Sequence, residues 1–124
     1  MTSPSPLHGL RMLIVEDETM VAMMVEELLE SFGCEVVAVA ASVKQALAVM
    51  AADTGAIDGA ILDVNIAGEK VFPVADALTA KSIPFVFATG YGASGLDPGF
   101  EERPVIAKPF RVAKLTEVLT SALT

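Results

Sequence analysis

The chain has 124 residues, 53% of them hydrophobic, which is the length of one ordinary domain with enough apolar material for a single core. Eight Lys and Arg against sixteen Asp and Glu give a net charge of −8, which repels phosphate backbones and argues against direct nucleic-acid binding. No apolar run is long enough to span a bilayer, no signal-peptide layout is present and Cys34 stands alone, so a soluble, cytoplasmic protein without a disulfide framework and without a membrane partner is expected.

Residues 1–9, with Pro4 and Pro6, read as a flexible and dispensable lead-in, and His8 as a solvated loop residue. Residues 10–15 form a first strand that runs into Glu16, Asp17 and Glu18. From Thr19 to Phe32 the apolar positions Val21, Met24, Val25, Leu28, Leu29 and Phe32 follow helical spacing, and Gly33 is placed to end that helix. Met23 falls nearly opposite the buried side, beside Glu26, Glu27 and Glu30, and is predicted to be exposed. Residues 34–40 make a second strand with Cys34 as a small apolar residue at its start. Ser42 and Gln45 have the spacing in which side chain and backbone cap each other at a helix start, and the helix they open runs to about Ala51.

Residues 56–63 form a third strand, followed by a loop through Gly68 and a short helix over about 73–80, with Pro73 acceptable only in its first turn. Residues 84–88 form a fourth strand that ends at Thr89 and Gly90. Four glycines and Pro98 between Gly90 and Arg103 make a regular helix there improbable, since Gly costs about 1 kcal/mol and Pro about 3 relative to Ala in a helix interior. Residues 105–107 form a fifth strand ending at Lys108 and Pro109, and residues 112–123 a last helix with Leu115, Val118, Leu119 and Ala122 on one face.

Strands alternating with helices predict an α/β fold with a doubly wound parallel sheet, whose ligand crevice lies at the carboxyl ends of the strands. Ala60, Ile61 and Leu62 end abruptly in Asp63, so that strand delivers a carboxylate to the crevice where Glu16, Asp17, Thr89 and Lys108 also arrive. Three carboxylates brought together repel one another unless a cation neutralises them, and Mg²⁺ suits an all-oxygen site that keeps waters for phosphate oxygens to replace.

An acidic pair after the first strand, Asp after the third, Thr after the fourth and Lys-Pro after the fifth resemble the receiver domain of bacterial two-component response regulators, over about residues 10 to 123. The resemblance implies a flavodoxin-like sheet of order 2-1-3-4-5 and one receiver domain over residues 10–124; a receiver normally places its fourth helix between Gly90 and Arg103, where the glycines and Pro98 predict it short or absent. It implies that Asp63 accepts a phosphoryl group from a histidine kinase or histidine phosphotransfer protein, with Mg²⁺ held by Glu16, Asp17, Asp63 and the backbone carbonyl of Asn65. Lys108 and Thr89 would receive the phosphoryl oxygens.

A chain ending at Thr124 resembles the single-domain kind, which signals through partner proteins and carries no output domain. Phe87-Ala88-Thr89-Gly90 resembles the F-A-T-G motif of an alphaproteobacterial branch; the usual aromatic of the fifth strand is missing, and Tyr91 is the candidate to take over its switching role. Glu16 departs from the family's more frequent Asp. In this family the first helix is commonly the kinase face, so Met20 and Met23 are candidates for docking. The competing readings are a phosphatase of the haloacid-dehalogenase type, which wants an acid where Asn65 stands, and a binding module that is not phosphorylated.

Overall fold

The computed structural model describes residues 6–52, 57–89, 104–107 and 112–123. The described elements follow in the order β1 (Arg11–Val15), α1 (Thr19–Ser31), β2 (Glu35–Ala40), α2 (Val43–Ala52), β3 (Gly59–Asp63), β4 (Asn65–Ile66), β5 (Glu69–Lys70), α3 (Phe72–Ala80), β6 (Phe85–Thr89), β7 (Val105–Ala107) and α4 (Val112–Leu123). Five of the strands form one sheet of order β2-β1-β3-β6-β7, parallel throughout. This is the predicted 2-1-3-4-5 arrangement, with β6 and β7 as the fourth and fifth strands of that sheet. The expectation of a short or absent helix between Gly90 and Arg103 lies outside the described residues.

Because side chains alternate across a strand, the central strands feed two separate cores. Leu13, Val15, Ala60, Leu62, Phe85 and Phe87 pack with α2 and α3 on one face of the sheet. Met12, Ile14, Ile61, Val86 and Ala88 pack with α1 and α4 on the other. Phe87 sits edge-on to Phe72 and Phe85 at centroid separations of 5.9 and 5.3 Å, contacts of the kind that contribute about 0.5–1.5 kcal/mol each beyond their buried area.

Several local expectations acquire detail. The capping pair forms, with Gln45 N–H donating to Ser42 Oγ at 3.1 Å, but Gln45 Oε1 accepts from the N–H of Ala41, one residue earlier than the usual box. Pro73 lies in the first turn of α3, where its missing N–H costs no helix bond. In α1 the buried stripe is Ala22, Val25 and Leu29, with Val21, Leu28 and Phe32 packed at its sides, so Met24 falls on the flank at 40% exposure instead of in the core. The edge strand β2 carries a bulge at Val37, because Met12 pairs with Val36 and Leu13 already pairs with Ala38. Such a bulge blunts an apolar edge against pairing with another strand.

The lead-in is not free up to Gly9. Leu7 is completely buried in the α1/α4 core, its carbonyl accepts from Leu10 N–H at 3.2 Å and from the Cys34 thiol at 3.3 Å, and Gly9 N–H donates to the Gly33 carbonyl. The neighbouring prolines hide this from composition: a single Leu in a polar context is enough when a turn aims it into the sheet's edge. His8, by contrast, is exposed as expected.

The loop predicted after Asp63 is a small antiparallel hairpin, with Asn65 opposite Lys70 and Ile66 opposite Glu69. Its two-residue turn, Ala67 at φ 50° and Gly68 at φ 82°, has positive φ at both positions, as type I′ hairpins require. Ile66, Val64 and Val71 anchor it in the core, and Val71 N–H donates to the Val64 carbonyl at 2.9 Å.

Candidate phosphoacceptor site

The three buried polar or charged residues described are Glu16, Asp63 and Thr89, and all lie at the carboxyl ends of sheet strands. Register places them together: Val15 pairs with Leu62, so the residue after β1 is level with Asp63, while Asp63 pairs with Ala88 and Thr89 with Ala107. Glu16 N–H donates to the Ala40 carbonyl at 2.9 Å, which carries the β1 ladder one residue past its last apolar position and brings the carboxylate into the crevice.

Carboxylate oxygens of Glu16, Asp17 and Asp63 all lie within 4.8 Å of one another. Glu16 and Asp63 are buried and Asp17 is exposed, so the cluster opens to solvent on the Asp17 side. Backbone donors steer these acids, among them Glu18 N–H, which donates to Glu16 Oε2 at 3.5 Å. Asn65 N–H donates to Asp63 Oδ1 at 3.3 Å, and Ala67 N–H, at the hairpin turn, donates to Asp17 Oδ2 at 3.1 Å. Like charges this close are costly without a cation, and the donor set, three carboxylates with an open side, fits a hard divalent ion such as Mg²⁺.

The predicted Glu16, Asp17, Asp63 and Thr89 are therefore brought together, and Asn65 follows Asp63 directly after one residue. Lys108 and Tyr91 lie outside the described residues. Met20 and Met23 are both exposed, at 84% and 53%, on the first two turns of α1. Sequence reasoning missed the hairpin's part in the site: Lys70 Nζ donates to Asn65 Oδ1 at 2.7 Å, and the turn grips Asp17. An Asn-Gly or Asp-Gly pair would have announced that turn; Ala67-Gly68 does so only through the glycine. The Asn65 side chain accepts from Lys70 and carries an amide, so it supplies no general acid of the kind the phosphatase reading needs.

A parallel sheet that gathers acids, a hydroxyl and a metal-compatible crevice at its carboxyl ends has the layout of a receiver-type signalling domain. The family model for the response regulator receiver domain matches residues 12–120, and the chain belongs to that family, the CheY-like receivers of two-component systems. Among curated proteins it is similar to the phyllosphere-induced regulator PhyR of Methylorubrum extorquens, 35% identical over 118 residues, which are 90% of this chain; the chain spans 42% of that regulator's length. Among solved structures it is similar to SdrG from Sphingomonas melonis Fr1, with 44% identity, a TM-score of 0.82 and coverage of 94% of this chain and 98% of that one. It is also similar to the BeF3-activated conformation of SdrG from Pseudomonas melonis Fr1, with 41% identity, a TM-score of 0.79 and coverage of 98% and 100%. No described helix is long and apolar enough to cross a membrane.

Proposed function

We propose that this chain is a phosphoacceptor whose Asp63 takes a phosphoryl group from a histidine kinase or a histidine phosphotransfer protein, and that it signals in the cytoplasm by binding another protein. The observation that carries this reading is the cluster itself: a buried Asp63 within 4.8 Å of two further acids, at the carboxyl end of the central parallel strands, with buried Thr89 one register step beyond. An Asp63 Oδ attacks phosphorus as the bond to the donor's leaving nitrogen or oxygen breaks, and the donor departs with that electron pair. Asn65 N–H fixes the orientation of the carboxylate for this attack. Glu16, Asp17 and Asp63, with the Asn65 carbonyl, would hold Mg²⁺, which when bound neutralises the cluster and shares the charge of the transferring group.

Thr89 and its following N–H groups hold phosphoryl oxygens after transfer, and Lys108, next in sequence to the residue paired with Thr89, adds a cation. Tyr91 acts as the switch aromatic, and Met20 with Met23 forms part of the face on which the kinase's helices pack. The similarity to a receiver whose structure is described as BeF3-activated supports the same reading.

Incubation with acetyl phosphate and Mg²⁺, read by intact mass, tests it. One phosphoryl group per chain is expected, lost in Asp63→Asn and on chelation of the metal. Continuous turnover of a generic phosphate ester with no retained label would overturn it. Met20→Ala and Met23→Glu are expected to slow transfer from a kinase while leaving labelling by acetyl phosphate intact; equal losses with both donors would remove the docking assignment.

A further inference from the structure

Beside the acidic cluster, between the first half of α1 and the carboxyl end of β2, lies a groove of about 240 Å³. Ala22 and Val39 form its apolar bed and Met23 one wall, with Met23 53% and Val39 40% exposed. Glu16 and Asp17 close one end, and Glu26, half-buried, lies along the same groove. Val39 is there because β2 is the edge strand, with no further strand beyond it among the described residues. Met20 does not line this groove, so of the two methionines of the proposed kinase face only Met23 borders it.

Charge decides what can occupy it. Among the described residues the groove is lined by three acids and no base, and α1 carries Glu26, Glu27 and Glu30 without one Lys or Arg. A second copy of this chain would bring another −8 against it, and nucleic acid or an anionic bilayer would be repelled in the same way. The volume is below the roughly 300–1,000 Å³ of small-molecule sites but suits one long side chain. Arginine combines an aliphatic stem that covers apolar surface with a weakly hydrated guanidinium that pairs with carboxylates. We infer that this groove is a docking site for a basic segment of a partner protein, which lays an arginine stem over Ala22, Met23 and Val39 and turns its guanidinium to the Glu26 and Asp17 carboxylates. The inference does not depend on phosphorylation of Asp63. It concerns a face of α1 turned toward β2, apart from Met20.

The test titrates a helical peptide of Ala, Leu and Arg into isotope-labelled protein in Mg²⁺-free buffer without phosphoryl donor, against the same peptide with Glu in place of Arg. Saturable amide shifts are expected at Ala22, Met23 and Val39 with the Arg peptide alone. Glu26→Lys should weaken binding about tenfold, whereas Glu117→Lys, the same charge change on α4, should weaken it less than about twofold. Met23→Ala should weaken binding several-fold by removing the apolar wall. Absence of saturable shifts, equal binding of the Glu peptide, equal losses in Glu26→Lys and Glu117→Lys, or shifts confined to Met20 and Met24 would each overturn the assignment. None of these results bears on labelling of Asp63 by acetyl phosphate, so the two readings fail separately.

Discussion

The two ends of the sheet are built on opposite principles. At the amino ends the charged groups are exposed and matched: Arg11 Nε meets Glu35 Oε2 at 2.8 Å, and Arg11 N–H donates to Asp58 Oδ2 at 2.9 Å. At the carboxyl ends Glu16 and Asp63 are buried, and the acids around them share one sign. The first arrangement asks for nothing further. The second gathers like charges that a cation would offset, and the proposed Mg²⁺ and phosphoryl group would complete it. The apolar residues beneath are the same strands in both cases, and it is the last residue of each strand that separates scaffold from site.

Substitutions at the two ends should therefore separate labelling from stability. The largest effect belongs to Asp63→Asn, which is expected to abolish phosphoryl labelling while leaving the melting temperature in Mg²⁺-free buffer unchanged or raised, since it removes one of three like charges. Leu7→Ala reverses the pattern: a completely buried side chain lost near the amino end should cost about 2–5 kcal/mol in denaturant unfolding, with labelling intact wherever the protein is folded. Adding Mg²⁺ should raise the melting temperature, by the equivalent of about 2.7 kcal/mol at a hundred times the dissociation constant, and Asp17→Asn should remove most of that rise. A parent protein indifferent to Mg²⁺ would break the comparison at its root.

Smaller effects sharpen it. Burial pushes the Cys34 thiol pKa up. The folded state thus holds its proton where the unfolded chain has released it, so this stability is full at neutral pH and falls as pH rises above the ordinary thiol range. Cys34→Ala should flatten that alkaline decline in a series of urea melts. Arg11→Ala, which breaks an exposed pair, should cost less than about 1 kcal/mol, lose even that in high salt, and leave labelling untouched.

What could be read from the sequence divides along the same line. Strands β1, β3 and β6 announce themselves because a strand buried on both faces is a continuous apolar run, and the polar residue that ends the run is conspicuous for that reason. Asp63 and Thr89 were legible in this way, and so was the strand order once the alternation with helices was seen. The contribution of Leu7 was not, because its burial depends on a turn and on the carbonyl that meets Cys34, neither of which leaves a periodic trace. Met24 fits helical spacing yet lies on the flank, since spacing gives the angular position of a stripe but not its width. The β4–β5 hairpin escaped notice because four strand residues are too few to show alternation and Ala67 is an unusual residue for positive φ.

That hairpin also bears on how the chain can vary in length. Surface connections usually tolerate insertions and deletions, and the stretch between β3 and α3 is such a connection. Here a single added or missing residue would slip the pairing of Asn65 with Lys70, turn Ile66 out of the core and carry the Ala67 N–H away from Asp17, because strand side chains change face with every one-residue shift. A mutation that leaves every acid of the cluster in place could thus still disarm it by changing only the count of residues between Asp63 and Phe72.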